Sequence, residues 1–248
     1  MRMQDKVAVV TGAGSGFGEG IAQKFVAEGA KVIVADINGE AAERVVGEIG
    51  DSARAVSVDV SDGAQVAAML QAAVDSFGKL DIIVNNAGYT HLNKSLLEVS
   101  EQEFDMVYAV NAKALYWAAI HGVPMLRDGG GGVILNVAST AGVRPRPGLT
   151  WYNSSKGAVI TMTKSMAVEL APDNIRVCAL NPVAGETGML GRFMGEDTEE
   201  KRALFRSTIP LGRLSTPRDI ANAACYLCSD EADMLTGVCL EVDGGRCI

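Results

Sequence analysis

The stretch Lys6–Asp36, KVAVVTGAGSGFGEGIAQKFVAEGAKVIVAD, decides the fold. Val7 to Val10 is an unbroken apolar run, the pattern of a strand buried on both faces. It leads straight into Gly12-Ala-Gly14-Ser15-Gly16-Phe17-Gly18, and then into apolar residues at helical spacing, Ile21, Ala22, Phe25 and Val26. A second apolar run, Lys31 to Ala35, ends in Asp36. Strand, glycine turn, helix and strand in that order form a nucleotide-binding βαβ unit. The glycines permit a tight turn and let backbone approach a pyrophosphate at the helix N-terminus, where the peptide dipoles favour negative charge. Asp36 lies roughly 20 residues beyond the turn, where a carboxylate accepts hydrogen bonds from the adenosine ribose. The same charge repels a 2′-phosphate, and neither Ile37 nor Asn38 brings a compensating cation, so NAD is expected over NADP. The alternative is that Asp36 simply caps the next helix or stabilises a turn.

Downstream, strands and helices alternate in the rhythm of a parallel sheet. Helices are predicted over Glu40 to Ile49, Val66 to Phe77 and Trp151 to Leu170, and strands over Ala53 to Asp59, Leu80 to Asn85, Val133 to Ala138, Ile175 to Asn181 and Cys239 to Val242. Ser100-x-x-Glu103 has the form of a capping box opening a long helix that carries Asn111. Thr216-Pro217 starts another, proline being tolerated at the first helical position. The expectation is one α/β domain with a doubly wound Rossmann sheet of about seven strands over residues 1–248.

Ser139, Tyr152 and Lys156 are the candidate chemistry. On a helix Tyr152 and Lys156 share a face, which sets an ammonium beside a phenol whose ordinary pKa is about 10. A nearby cation favours phenolate and should lower that pKa towards the working range of a general acid/base. Ser139, at the end of a strand opposite, would hydrogen-bond the same substrate oxygen.

These motifs together resemble the short-chain dehydrogenase/reductase family, in its compact form of about 250 residues. The residues that carry the resemblance are Thr11-Gly-x3-Gly16-x-Gly18, Asp59-Val60, Asn85-Asn86-Ala87-Gly88, Asn111, Ser139, Tyr152-x3-Lys156, Asn181-Pro182 with Thr187, and Asp243-Gly244-Gly245. It implies a four-residue site of Asn111, Ser139, Tyr152 and Lys156, and hydride exchange between nicotinamide C4 and a carbon bearing oxygen. Tyr152 would move the proton, Lys156 would reach the nicotinamide ribose, and Asn111 would break its helix and order a water. The cofactor would lie along Gly12, Ser15, Gly16, Phe17, Gly18, Asp36, Ile37, Asp59, Val60, Asn86, Ala87, Gly88, Pro182, Val183 and Thr187. Val183 stands where the family often has glycine, which should crowd the pocket. A homotetramer is also implied, with apolar positions Val110, Ala114, Leu115 and Ala118 fitting either a subunit contact or packing on the sheet.

Composition bounds the rest. With 22 basic and 30 acidic residues the net charge is −8, which argues against nucleic acid or an anionic membrane as partner. No apolar run reaches the roughly 18 residues of a membrane span, and no signal peptide fits before the first strand, so a cytoplasmic enzyme is expected. The five cysteines lack metal-ligand spacing; Cys225 and Cys228 read as small core residues, Cys247 as the thiol most exposed to chemistry, and no metal is expected.

Substrate identity rests on two segments. Residues 185–212 would form a mobile lid, and its Met189, Leu190, Phe193 and Met194 suit a small or medium hydrophobic ketone or secondary alcohol, within an expected substrate class of small or medium alcohols, polyols and hydroxy acids. Arg144 and Arg146 read either as a seat for a substrate carboxylate or as surface residues of a proline-stiffened loop. His91 reads as a solvated loop residue or as part of the pocket rim. Two other functions stay open: a 3-oxoacyl-thioester reductase, which Asp36 disfavours if it needs NADPH, and a non-catalytic NAD(H) sensor, which an intact Ser139, Tyr152 and Lys156 disfavour.

Overall fold

A computed structural model describes residues 1–248. Seven strands, β1 (Val7–Thr11), β2 (Lys31–Asp36), β3 (Ala53–Ser57), β4 (Ile82–Asn85), β5 (Gly132–Val137), β6 (Ile175–Pro182) and β7 (Cys239–Val242), form one sheet in the order β3-β2-β1-β4-β5-β6-β7. Every pairing is parallel. The order reverses at β1, and a crevice opens there beyond the strand C-terminal ends, the ligand position of doubly wound sheets.

Nine helices cover the sheet: α1 (Gly16–Ala27), α2 (Gly39–Ile49), α3 (Gly63–Phe77), α4 (Glu101–Tyr108), α5 (Ala114–Asp128), α6 (Thr150–Leu170), α7 (Leu190–Met194), α8 (Glu199–Ser207) and α9 (Pro217–Cys228). The central strands are predominantly apolar because both faces are covered. Ala8 and Val10 point into a cluster with α1, α2 and α9, whereas Val7 and Val9 point into another with α3, α5 and α6. Cys225 and Cys228 belong to the first cluster as core residues. Ala114 and Ala118 belong to the second with Val110 packed against it, and Leu115 is buried with Ala138, Val159 and Ala179, so of the two readings of these positions the structure shows packing within the chain.

Both start signals read from sequence are made. Ser100 and Glu103 form the reciprocal capping box of α4, and Thr216 and Asp219 do the same for α9 with Pro217 in its first turn. The long helix carrying Asn111 is not continuous. Residues Ala109–Lys113 form a π-helical turn between α4 and α5. Such a turn frees backbone groups from the regular ladder and commonly marks a functional position. No helix is long and apolar enough to cross a membrane, and no group of three His, Cys, Asp or Glu side chains could hold a metal ion.

Candidate active site

The crevice has a volume of about 620 Å³ and runs from Asp36, past the glycine turn, to Tyr152. At its first end Asp36 Oδ2 accepts from the Gly14 amide at 2.8 Å and Oδ1 from the Asn38 amide at 2.9 Å, which fixes the carboxylate at the crevice wall. Ile37 beside it is 73% exposed, an apolar edge, and the Arg44 guanidinium donates to the Gly14 carbonyl. Asp59 lies two residues beyond β3 rather than within it, because the strand pairing stops at Ser57. One of its oxygens accepts from the Ser61 amide and hydroxyl, which orients the side chain, while Val60 packs into the wall.

The turn itself explains two glycines. Gly12 has φ +62°, and a Cβ there would lie 2.9 Å from Ala87 Cα. At Gly18 a Cβ would lie 2.2 Å from the Gly12 carbonyl oxygen, so Gly18 supports the turn from beneath and is not on the crevice wall. Thr11 ties the ends of β1 and β4 together: its hydroxyl donates to the Val84 carbonyl and accepts from the Asn86 and Ala87 amides. Asn86 in turn donates to the Thr11 and Gly12 carbonyls, so this asparagine shapes the turn while lining the crevice. Ser15 begins α1 without capping it through its side chain, which leaves the first amides of that helix to a ligand. These features fit a dinucleotide: an open helix N-terminus for phosphate, a cradle a Cβ would fill, and a carboxylate at the ribose end.

At the far end Tyr152 and Lys156 lie on the same face of α6 and are 5% and 4% exposed. Lys156 Nζ donates to the Val137 carbonyl at 2.8 Å and lies 5.9 Å from the centre of the Tyr152 ring. Burial pushes the phenol up to about 12, with the Ser139 hydroxyl pulling the other way, and burial pushes the ammonium down to about 8. The expected lowering of the phenol by Lys156 is therefore corrected. Without polar ligands the low-dielectric surroundings outweigh a charge held on a carbonyl and not on the phenol oxygen. Ser139 lies two residues beyond β5, and its hydroxyl accepts from the Ala141 amide. Asn111 does not line the crevice. It sits behind it, its Oδ1 accepting from the Tyr89 amide and its Nδ2 donating to the Tyr89 carbonyl and to Ser155 Oγ. Gly88 lies between Asn111 and Lys156, and a Cβ there would come within 3.6 Å of both. Ser155 and the Val137 carbonyl were not read from the sequence, since neither belongs to a motif with a chemical signature of its own.

Pro182, Val183 and Thr187 also line the crevice, Val183 lying almost wholly buried. Within 185–212, Met189 and Phe193 face the crevice, and the Phe193 ring lies 5.1 Å from that of Tyr152. Leu190 and Met194 turn away into a small core with Val183, Ile209 and Leu214, correcting their placement against a substrate. Arg144 and Arg146 do not reach the crevice. Arg144 donates to the Arg246 carbonyl, and Arg146 stacks on Phe205 and donates to Thr208. His91 is buried, with Nδ1 on the Leu92 carbonyl, and is neither solvated nor on the rim. At Cys247, burial and the neighbouring Asp243 push the thiol up to about 11, which disfavours the thiolate.

A family model described as enoyl-(acyl carrier protein) reductase matches residues 12–246. The chain is 51% identical over 250 residues to the 4-formylbenzenesulfonate dehydrogenase of Comamonas testosteroni, covering 99% of each. The chain belongs to the short-chain dehydrogenase/reductase family. A second relative, the galactitol 2-dehydrogenase of Agrobacterium fabrum, is 38% identical over 255 residues, again across 99% of both chains. Among solved structures, a 3-ketoacyl-(acyl-carrier-protein) reductase from Brucella melitensis, complexed with NADH, superposes with a TM-score of 0.94 at 51% identity. That likeness covers 99% of this chain and 100% of the other. The likeness to each of these three proteins thus runs over 99% of this chain.

Proposed function

We propose that the protein is an NAD(H)-dependent oxidoreductase that interconverts an alcohol, chiefly a secondary one, with its carbonyl compound, using Tyr152 as general acid/base. The observation that carries this reading is the buried pair of Tyr152 and Lys156 facing one crevice whose other end is walled by Asp36. The relatives named for a formyl-bearing sulfonate and for galactitol, and the structure holding NADH, support the carbonyl and alcohol class and the cofactor.

When bound, the nicotinamide supplies the hydride donor or acceptor. The chain supplies everything else. In reduction the Tyr152 phenol, neutral at physiological pH, donates its proton to the substrate oxygen as alkoxide charge develops there. In oxidation the phenolate takes that proton back. Ser139 holds the same oxygen by a hydrogen bond, and Lys156 places a positive charge near the phenol, worth most where water is excluded. Asn111 acts as a positioning residue through Tyr89 and Ser155, holding the floor on which Lys156 rests. Residues 185–212 act as a lid over the substrate, in a single catalytic domain of residues 1–248. Tyr152→Phe tests the assignment: turnover should fall by roughly 10³-fold or more while NADH binding stays within a few-fold, and retained turnover refutes it.

Reduction of a 3-oxoacyl thioester is a second reading. The Brucella protein named for that reaction holds NADH, so a preference for NAD no longer counts against it. Acetoacetyl-coenzyme A against a panel of simple ketones separates the two. Assembly as a homotetramer in the cytoplasm belongs to the same proposal, supported by Tyr116 and Ile120, half exposed one turn apart on the outer face of α5. Light scattering giving a clean monomer would count against it.

A further inference from the structure

The crevice carries four charged side chains: Asp36 and Asp59 at the adenosine end, and Lys156 and Arg192 near Tyr152. Lys156 is held on the Val137 carbonyl at the reacting centre. Arg192, on α7 next to Phe193, has neutral partners only. Its Nη1 donates to the Thr90 carbonyl at 3.2 Å, and its guanidinium lies 5.5 Å from the centre of the Tyr89 ring. A guanidinium has five N–H donors in a planar fork matched to oxyanions, and this one commits a single donor. Around it the wall is aromatic and thioether, with Tyr89, Met106, Met189 and Phe193. Arg192 is exposed at the crevice, and the Thr90 and Tyr89 contacts orient its side chain there, which leaves most of its donors to an incoming anion.

We propose that Arg192 is a specificity-determining residue that seats a carboxylate or sulfonate on the part of the substrate remote from its reacting carbon. The substrate class is an aromatic carbonyl or alcohol bearing such a group. The ring packs among Phe193, Tyr89 and the two methionines, and the anion pairs with the uncommitted donors of Arg192. This rests on the dehydrogenase reading above. It also replaces Arg144 and Arg146, which lie outside the crevice, as the seat of a substrate anion. The bland alternative is a latch, because Arg192 joins α7 to the segment after β4. A latch acts alike on charged and neutral substrates, whereas an anion seat does not.

The test compares wild type, Arg192→Gln and Arg192→Lys in two assays. The first follows NADH consumption with 4-acetylbenzoate and 4-formylbenzoate against their methyl esters. The second titrates 4-toluenesulfonate into the NADH-saturated protein by calorimetry. Arg192→Gln should lower kcat/KM for the acids by about 10- to 100-fold, mainly through KM, and weaken the sulfonate in parallel. The esters should stay within about threefold, and Arg192→Lys should recover part of the loss. Equal losses on acids and esters, or no sulfonate binding to wild type, overturn the proposal. If wild type reduces none of the four compounds, these substrates count against the dehydrogenase reading, and the sulfonate titration still decides on Arg192.

Discussion

Replacing Lys156 by methionine should stabilise the ligand-free protein while destroying its activity. The ammonium is 4% exposed, its one hydrogen bond runs to a neutral carbonyl, and burial lowers it from 10.5 to about 8. For a base lowered by folding, the unfolded chain binds the extra proton between those two values, so stability rises with pH across that window. Below it the folded protein carries the full cost of a buried charge, about 3 kcal/mol at about 1.4 kcal/mol per pH unit. Methionine removes that cost, fills a similar volume and forfeits a hydrogen bond worth about 1 kcal/mol. The variant should therefore gain about 2 kcal/mol at pH 7, or about 4–8 °C in Tm for a chain of this size. By pH 9.5 the wild-type lysine is neutral when folded, and the gain should shrink below about 1 kcal/mol. Urea unfolding of both proteins at one fixed protein concentration, at pH 7 and pH 9.5 without nucleotide, measures this directly. A variant less stable than wild type at pH 7, or a difference that ignores pH, would refute the account of Lys156 as an uncompensated buried cation.

Other expectations follow from the same geometry. Gly18→Ala drives a Cβ against the Gly12 carbonyl and Asn86, and should cost about 1–3 kcal/mol in chemical unfolding and abolish NADH fluorescence enhancement. Asp36→Ser removes the charge at the crevice wall proposed to face the adenosine ribose, and with it the contacts to the Gly14 and Asn38 amides. The NADP to NAD ratio of kcat/KM should rise at least about tenfold, and an unchanged ratio would separate Asp36 from cofactor choice. Because burial holds the Tyr152 phenol protonated up to about 12, the acid needed for carbonyl reduction is present across neutral pH, whereas the base needed for oxidation is scarce. Steady-state profiles should show oxidation climbing with pH and reduction failing to climb, and the opposite slopes would contradict this protonation state.

Much of the fold was legible because local chemistry and fold agree. The continuous apolar run Val7–Val10 is what a strand covered on both faces requires, and Gly12 is the residue a positive φ requires. Capping residues Ser100 and Thr216 marked helix starts because their hydroxyls bond amides three residues away, a contact written within the sequence itself. The strand end at Ser57 was misread because Val58 prolongs the apolar pattern, whereas the paired register ends where β2 ends, at Asp36 opposite Ser57, and pairing is a property of that neighbour.

The sequence by itself determined the doubly wound sheet, the glycine turn, the carboxylate that ends β2 and the tyrosine–lysine spacing, since all of these are local or periodic features of one segment. Only the tertiary structure decided the electrostatics and the specificity. Whether a lysine lowers a phenol depends on where its nitrogen is held and how much water surrounds both groups, and Lys156 is held by Val137, 19 residues away in the chain. Likewise Arg192 looks, in sequence, no different from Arg144 or Arg146. Packing of α7 against the segment after β4 puts Arg192 in the crevice, and packing of the loop after Ser139 against α8 and the C-terminal segment keeps the other two out.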